Sequence, residues 1–80
     1  MFHYVYQLTS VNFPERHYTG STQDLQERLA THNRGEVPST AKHRPWRIEV
    51  AVAFREREKA VAFEQYLKSH SGRAFASRHF

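Results

Sequence analysis

The sequence predicts an α+β fold: a small, mainly antiparallel three-stranded sheet covered by helices, in the order ββαβα with a short final helix. Apolar and polar residues alternate near the N-terminus and again at residues 46–54, as they do in half-buried strands. Residues 23–33 and 56–70 repeat their apolar side chains with helical spacing instead. Eighty residues accommodate one domain at most, so we expect residues 1–80 to form a single domain.

The first two strands are predicted to form a hairpin. The segment FHYVYQL places four large apolar side chains on one face: Phe2, Tyr4, Tyr6 and Leu8. The next segment, TSVNFPE, contains an asparagine and a proline, which favour a turn. The segment RHYTG then returns as the antiparallel strand, after a loop of about seven residues.

A helix is predicted to follow the hairpin. Ser21 and Asp24 are spaced almost as in a capping box, and they predict a helix start at Gln23. Gly35 is well placed to end that helix. The segment EVPSTAKHRP contains two prolines and is predicted to be an exposed loop.

The third strand has the strongest pattern in the chain. In WRIEVAVAF, the side chains predicted to share one face are Ile48, Val50, Val52 and Phe54. The opposite face carries the small residues Ala51 and Ala53, which would let a helix pack closely. The segment EREKAVAFEQYLKSH then forms a helix that Ser71 and Gly72 are predicted to break, before a short final helix in RAFASRHF.

Charged residues lie on the apolar stripes of both long helices. Arg28 and His32 share the stripe of the first helix with its leucines, and Glu64 borders the apolar stripe of the second. A charged group near a core must be paired, hydrogen-bonded or bound to a metal. One interpretation is a structural Arg28–Glu64 salt bridge, although such pairs stabilise a fold weakly. The other interpretation, which we favour, is a functional site that uses both residues.

The composition narrows the class of protein. The chain has 12 Lys and Arg against 8 Asp and Glu, and nine of the twelve are arginine, which suits contact with phosphate groups. Ordinary solubility charge explains the same balance about equally well. The absence of cysteine excludes disulfides and thiolate metal sites. No long apolar run or signal-peptide pattern is present, so we expect a soluble cytoplasmic protein with no membrane association.

The order of these motifs resembles the GIY-YIG endonuclease superfamily over almost the whole chain. YVY at Tyr4–Tyr6 resembles the first half of the family motif, and YTG at Tyr18–Gly20 resembles the second. STQDLQERLATHN and STAKHRPW resemble the following helix and connecting segment of the small stand-alone bacterial members. The chain departs from the pattern where Tyr4 replaces the opening glycine, and where FASRHF lacks the asparagine that several active members carry.

The resemblance implies a metal-dependent endonuclease that hydrolyses phosphodiester bonds in DNA, with a role in DNA repair or recombination. Glu64 stands at the metal-binding position, and the ion expected there is Mg²⁺ or Mn²⁺. Tyr6, with Tyr18 beside it, is the expected general base, and Arg28 and the metal are expected to lower its pKa. Arg28 would also bind the scissile phosphate, and His32 would orient Tyr6 or relay its proton.

Further basic residues are assigned to contact with the nucleic-acid backbone: Lys42, His43, Arg44, Arg47 and Arg73. We expect DNA as the partner, and a protein partner could supply specificity, because so small a domain has little surface for reading sequence. Two alternatives stay open at this point: a nucleic-acid-binding module of the same fold that cuts weakly or not at all, and an interaction domain in which the Arg28–Glu64 pair is structural.

Overall fold

The protein was analysed as a computed structural model that describes all of residues 1–80. Its elements are, in order, β1 (His3–Ser10), β2 (His17–Thr22), α1 (Leu25–Asn33), α2 (Pro38–Ala41), β3 (Trp46–Phe54), α3 (Arg57–Lys68) and α4 (His70–His79). The three strands pair antiparallel in the order β2-β1-β3, with β1 in the centre. The predicted α+β fold is confirmed. None of the helices has both the length and the apolar character needed to cross a membrane.

Helices cover both faces of the sheet, so the central strand is buried on two sides. On one side, Val5 packs against residues of α3 and α4: Ala60, Leu67 and Ala76. On the other side, the cluster around Tyr6 and Leu8 packs against α1 through Leu25 and Leu29. We call these sides the α3–α4 face and the α1 face. Two small cores on opposite sides of one strand leave β1 little freedom to shift.

A β-bulge interrupts the pairing of β3 with β1. Gln7 lies opposite Val50, but the next residue, Leu8, lies opposite Ile48. Glu49 is therefore an extra residue on β3 with no partner of its own. A single inserted residue reverses the alternation of side chains, so the two halves of β3 direct their apolar residues to opposite faces of the sheet.

The bulge overturns two predictions for β3. Ile48 joins the cluster on the α1 face, whereas Val52 lies opposite Val5 and so shares the α3–α4 face. The prediction of one continuous apolar face is therefore wrong. No helix packs on Ala51 and Ala53 either, because both are exposed. The helix that covers the α1 face lies over the Leu8 end of the sheet and stops short of the alanines.

The ends of α1 follow capping rules. Asp24 is the N-cap residue, and its carboxylate accepts a hydrogen bond from the backbone N–H of Glu27 at 3.0 Å. Ser21 takes no part in this cap, so the capping-box prediction is wrong. Gly35 adopts φ +81° just after the helix, a conformation that favours glycine, and this confirms the predicted end.

The segment before β3 is only partly the exposed loop that was predicted. It contains the short helix α2, whose Thr40 is 1% exposed. The indole N–H of Trp46 donates to the Thr40 carbonyl at 2.8 Å. The prediction of an exposed loop is wrong here, because Thr40 and Trp46 bury this turn of the chain against the α1 side of the sheet.

The boundary between the last two helices also differs slightly from the prediction. Helix α3 ends at Lys68, and Ser69 is the N-cap of α4, where its hydroxyl accepts from the N–H of Gly72 at 3.1 Å. Gly72 therefore lies inside α4 and does not mark the break. The predicted final helix is confirmed, although it begins earlier.

Asn33, the last residue of α1, attaches that helix to the start of β3. Its side-chain carbonyl accepts from the backbone N–H of Trp46 at 2.7 Å, and its amide donates to the Trp46 carbonyl at 3.1 Å. The side chain thus satisfies the N–H and carbonyl groups of Trp46, with which a further strand would otherwise form hydrogen bonds. This attachment fixes the height of α1 above the sheet, and with it the position of every inward-facing side chain of α1.

We expect Asn33→Ala to lower the free energy of unfolding by about 1–3 kcal/mol, because the half-buried backbone groups of Trp46 would lose their partners. Urea unfolding followed by circular dichroism measures the change. Asn12→Ala is the matched control, since Asn12 is exposed in the hairpin loop. Equal losses in the two variants would contradict the role given to Asn33.

Candidate active site

The hydroxyl of Tyr6 is the centre of a polar cluster on the α1 face. Tyr6 is 2% exposed, and its Oη lies 3.0 Å from Nε2 of His32. The Nε–H of Arg28 donates to the same oxygen at 3.3 Å. Arg28 and His32 are one turn apart on α1, so a single helix face supplies both partners. The structure brings these three predicted site residues into direct contact.

Gly20 makes room for this cluster. It lies opposite Tyr6 in the β1–β2 pairing, and a Cβ atom at this position would come within 2.6 Å of Tyr6 Oη. The ring of Tyr6 therefore lies across the edge strand where a side chain would otherwise stand. Tyr18 borders the same space, with its ring centroid 4.8 Å from that of His32 and 6.4 Å from that of Tyr6.

The hydrogen bonds around His32 define one direction of proton donation. His32 is fully buried, and its Nδ1 lies 2.8 Å from Oγ1 of Thr40, whose hydroxyl donates to the Val37 carbonyl at 3.3 Å. Because a hydroxyl has a single proton, Thr40 must accept from His32 at Nδ1. Nε2 of a neutral His32 is then unprotonated and accepts the proton of Tyr6. Each group then donates to the next: Arg28 to the Tyr6 oxygen, Tyr6 to His32, and His32 to Thr40.

Burial decides the charge states in this cluster. Desolvation raises the pKa of Tyr6, and the opposing hydrogen bond and charge of Arg28 do not cancel it. Arg28 thus acts on this pKa in the predicted direction, but burial outweighs it, so the pKa lies above its ordinary value. Burial, helped by the charge of Arg28, lowers the pKa of His32. At neutral pH the site thus holds a protonated phenol hydrogen-bonded to a neutral imidazole.

Glu64 reaches the site from the other side of the edge strand. It lies on α3, and its carboxylate accepts hydrogen bonds from Ser21 Oγ at 2.8 Å and from Lys68 Nζ at 2.9 Å. Its negative charge is one of the causes that raise the pKa of Tyr6, so the two groups lie within electrostatic range without touching. The side chain of Glu64 is 21% exposed and open to solvent.

The structural Arg28–Glu64 salt bridge is absent. Glu64 pairs with Lys68 one turn along α3, and Arg28 takes part in no salt bridge. Burial raises the pKa of Glu64, but the hydrogen bonds from Lys68 and Ser21 outweigh it and leave the pKa below its ordinary value. Glu64 is therefore ionised at neutral pH, and Arg28 has no acidic partner.

The donor set near Glu64 suits a hard divalent cation. The structure contains no group of three or more acidic or histidine side chains that could hold a metal by themselves. A single half-buried carboxylate is nevertheless sufficient for Mg²⁺, which keeps several waters and binds substrate phosphate directly. Glu64 is ionised and partly exposed, and both of its hydrogen-bond donors are flexible side chains, so it fits this kind of site.

The structure divides the residues predicted to bind nucleic acid. Arg47 and Arg73 line one open cleft of about 840 Å³ on the α3–α4 face, together with Lys68. Arg47 is paired there with Glu49 at 3.0 Å. Glu64 does not line this cleft, but Lys68, which does, contacts its carboxylate.

The remaining three predicted residues follow α2 and lie elsewhere. Lys42 is exposed. The ring of His43 packs edge-on against Phe13, with centroids 5.1 Å apart. The guanidinium of Arg44 lies against Gly35. None of the three touches the cluster around Tyr6.

Sequence reasoning missed three residues that hold the site together: Ser21, Thr40 and Lys68. Lys68 follows Glu64 by four positions on a helix, a spacing that could have predicted the pair. Thr40 and Ser21 gave no such signal. Both lie outside periodic segments, and each meets its partner only through the tertiary fold.

The sheet thus presents a tyrosine and an arginine on one side of its edge strand and a glutamate on the other. The family model described as the GIY-YIG catalytic domain matches residues 2–77, so the chain belongs to the GIY-YIG nuclease family. It is also similar to the solution NMR structure of a UPF0213 protein from Bacillus halodurans, with 30% identity and a TM-score of 0.57, over 98% of this chain and 84% of that chain. The resemblance to small stand-alone members is thereby confirmed. No curated protein matches the chain.

We expect the low pKa of His32 to make the fold sensitive to acid. The unfolded chain binds a proton at His32 below about pH 6.5, whereas the folded chain resists it, so stability falls as the pH drops through that value. Urea unfolding between about pH 7 and pH 5 should give a steeper loss for the wild type than for His32→Gln. Parallel slopes for the two proteins would show that His32 is not held neutral.

We expect Thr40→Val to disturb the tautomer of His32. Valine has the shape of threonine without its hydroxyl, so the Nδ1–H of His32 would lose its acceptor and the Nε2–H form would increase. Long-range ¹H–¹⁵N NMR at mildly alkaline pH distinguishes the two tautomers. Thr40→Ser keeps the hydroxyl and should keep the wild-type spectrum. A single unchanged tautomer in Thr40→Val would contradict the assignment.

Proposed function

We propose that this chain is a divalent-metal-dependent endonuclease that hydrolyses phosphodiester bonds in DNA. The observation that carries the proposal is Arg28, an inward-facing guanidinium that donates to the Tyr6 hydroxyl and has no acidic partner. Its partners within the chain are the hydroxyls of Tyr6 and Tyr18, so most of its five N–H donors stay unused. A half-buried cation of this kind attracts an anion, and a phosphodiester would receive two donors from the free side of the guanidinium.

Tyr6 and His32 supply the proton transfer that hydrolysis requires. As a water molecule attacks the phosphorus, it gives its proton to Tyr6 Oη, and Tyr6 gives its own proton to His32 Nε2. This relay needs no free phenolate, which the raised pKa of Tyr6 disfavours. His32 becomes an imidazolium whose Nδ1–H still donates to Thr40, and it later returns the proton to solvent through Tyr6.

The other site residues complete the arrangement. Arg28 neutralises the charge that develops on the phosphate oxygens. The hydroxyl of Tyr18 interacts with Arg28 and helps to raise the pKa of its guanidinium, so it lies beside the place where the substrate phosphate would bind. Glu64 would hold the divalent cation, which when bound supplies Lewis-acid activation of the phosphate and stabilises the leaving oxygen. Arg47 and Arg73 would contact the backbone of the nucleic acid in their shared cleft. We further expect a role in DNA repair or recombination, on the resemblance alone.

We expect the purified chain to nick supercoiled plasmid in Mg²⁺ and to lose this activity in EDTA. Tyr6→Phe removes the proton relay and should lower the rate roughly 10²- to 10⁴-fold. Glu64→Gln removes the charge that holds the cation and should lower the rate about 10²-fold or more. Glu58→Gln is the matched control, because Glu58 is an exposed glutamate in the first turn of the same helix.

Two outcomes would contradict this prediction. Nicking at the same rate by wild type and Glu64→Gln would identify the activity as a contaminant. An absence of nicking, combined with DNA binding that weakens as salt rises, would identify a binding module of the same fold. Unfolding midpoints measured on every variant exclude misfolding as the cause of a lost activity.

A further inference from the structure

The α1 face is uncovered on the N-terminal side of Tyr6. Helix α1 covers the end of this face around Leu8, but Ala51 and Ala53, which lie opposite Tyr6 and Tyr4 in β3, are exposed. Alanine side chains are too short to shield their neighbours. The β3 side of the sheet is therefore open here, on the same face of β1 as Tyr4 and Tyr6.

Two aromatic rings stand on this open surface. Tyr4 is half-buried and Phe2 is 41% exposed, and their ring centroids lie 6.3 Å apart with the planes tilted by 53°. The guanidinium carbon of Arg55 lies 5.7 Å from the centroid of the Phe2 ring. We call these three residues the aromatic platform. Partly exposed aromatic rings next to a guanidinium offer faces on which a nucleobase can stack.

The platform continues directly from the proposed phosphate site. Residues two apart in a strand point to the same face, so Tyr4 stands beside Tyr6, about 7 Å along β1. Arg28 lies at the Tyr6 end of this row and Arg55 at the Phe2 end. Cations at both ends with aromatic rings between them match a chain of alternating phosphates and bases.

We propose that Tyr4 stacks an unpaired nucleobase, with Phe2 against the edge of that base, next to the phosphodiester held at Arg28, so that the preferred substrate has a single-stranded segment at the cut. The inference rests on the proposed function for the position of the phosphate. In a duplex both faces of each base are stacked on their neighbours, so only an unpaired base can offer a face to these rings. Tyr4 occupies the position of the motif's opening glycine, so the platform is a property of this chain's own sequence.

The test measures binding in EDTA, where no cutting can occur, by fluorescence anisotropy with three labelled probes. The first is a thymidine oligonucleotide of about twelve residues, the second an abasic oligomer of the same length, and the third a duplex of that length. Tyr4→Leu keeps the apolar bulk but removes the ring, and it should raise the Kd for the thymidine probe roughly 5- to 150-fold. Tyr4→Phe keeps the ring and should stay close to the wild-type Kd.

The second and third probes separate stacking from other effects. The abasic oligomer keeps the phosphates, so Tyr4→Leu should leave its Kd unchanged, and the wild type should bind the duplex more weakly than the thymidine probe. An unchanged Kd of Tyr4→Leu for the thymidine probe would overturn the proposal. So would an equal loss of affinity for the abasic oligomer. Phe2→Leu repeats the test outside β1 if Tyr4→Leu has a lowered unfolding midpoint.

The outcomes also separate this inference from the proposed function. Plasmid nicking by the wild type together with an unchanged Kd of Tyr4→Leu would overturn the platform alone. A ring-dependent Kd without any nicking would support the platform and overturn the nuclease activity. If the wild type neither binds the probes nor nicks, both proposals fail.

Discussion

The buried hydroxyl of Tyr6 is the constraint on which the arrangement of this protein depends. A phenol that is 2% exposed must have hydrogen-bond partners, and both of them, Arg28 and His32, come from α1. The helix must therefore lie at one height above the sheet and in one rotation about its axis. Asn33 sets the height through the backbone of Trp46, and Gly20 leaves the space into which the Tyr6 ring fits. Packing and polar contacts thus specify the same placement.

The sheet also separates the charges of the site. Arg28 lies on the α1 face and Glu64 on the opposite side of the edge strand, so neither neutralises the other. Lys68 and Ser21 satisfy Glu64, whereas Arg28 contacts the hydroxyls of Tyr6 and Tyr18 and keeps most of its donors unused. A fold of eighty residues buries few side chains, so it has few inward positions for a charged residue without an acidic partner. An unpaired guanidinium beside a phenol is therefore better explained by an anionic ligand than by a structural role.

Periodicity predicted much of the fold and part of the site. It identified β3 at its observed ends and placed Arg28 and His32 on the inward stripe of α1. It could not predict the bulge, because Glu49 continues the alternation of β3 as if no residue were inserted. Nor could it find Thr40, whose partner His32 is reached only when α2 folds back onto α1. Sequence reasoning named Arg28 as a candidate partner of Glu64 and missed Lys68, although a contact one helical turn away costs less conformational entropy than a contact across the sheet.

The charge of Arg28 links substrate binding to the strength of the proton acceptor. Burial and this charge together lower the pKa of His32, so the imidazole is a weak acceptor. A phosphodiester bound at Arg28 would offset that charge and raise the pKa of His32 again. It would also weaken the hydrogen bond from Arg28 to the Tyr6 oxygen, because it competes for the same guanidinium. The first change strengthens His32 as the acceptor of the Tyr6 proton. The second frees a lone pair of Tyr6 Oη for the proton of the attacking water, and it also removes a donor that lowers the pKa of Tyr6. The contact that positions the substrate would therefore make His32 a stronger proton acceptor, without movement of either helix.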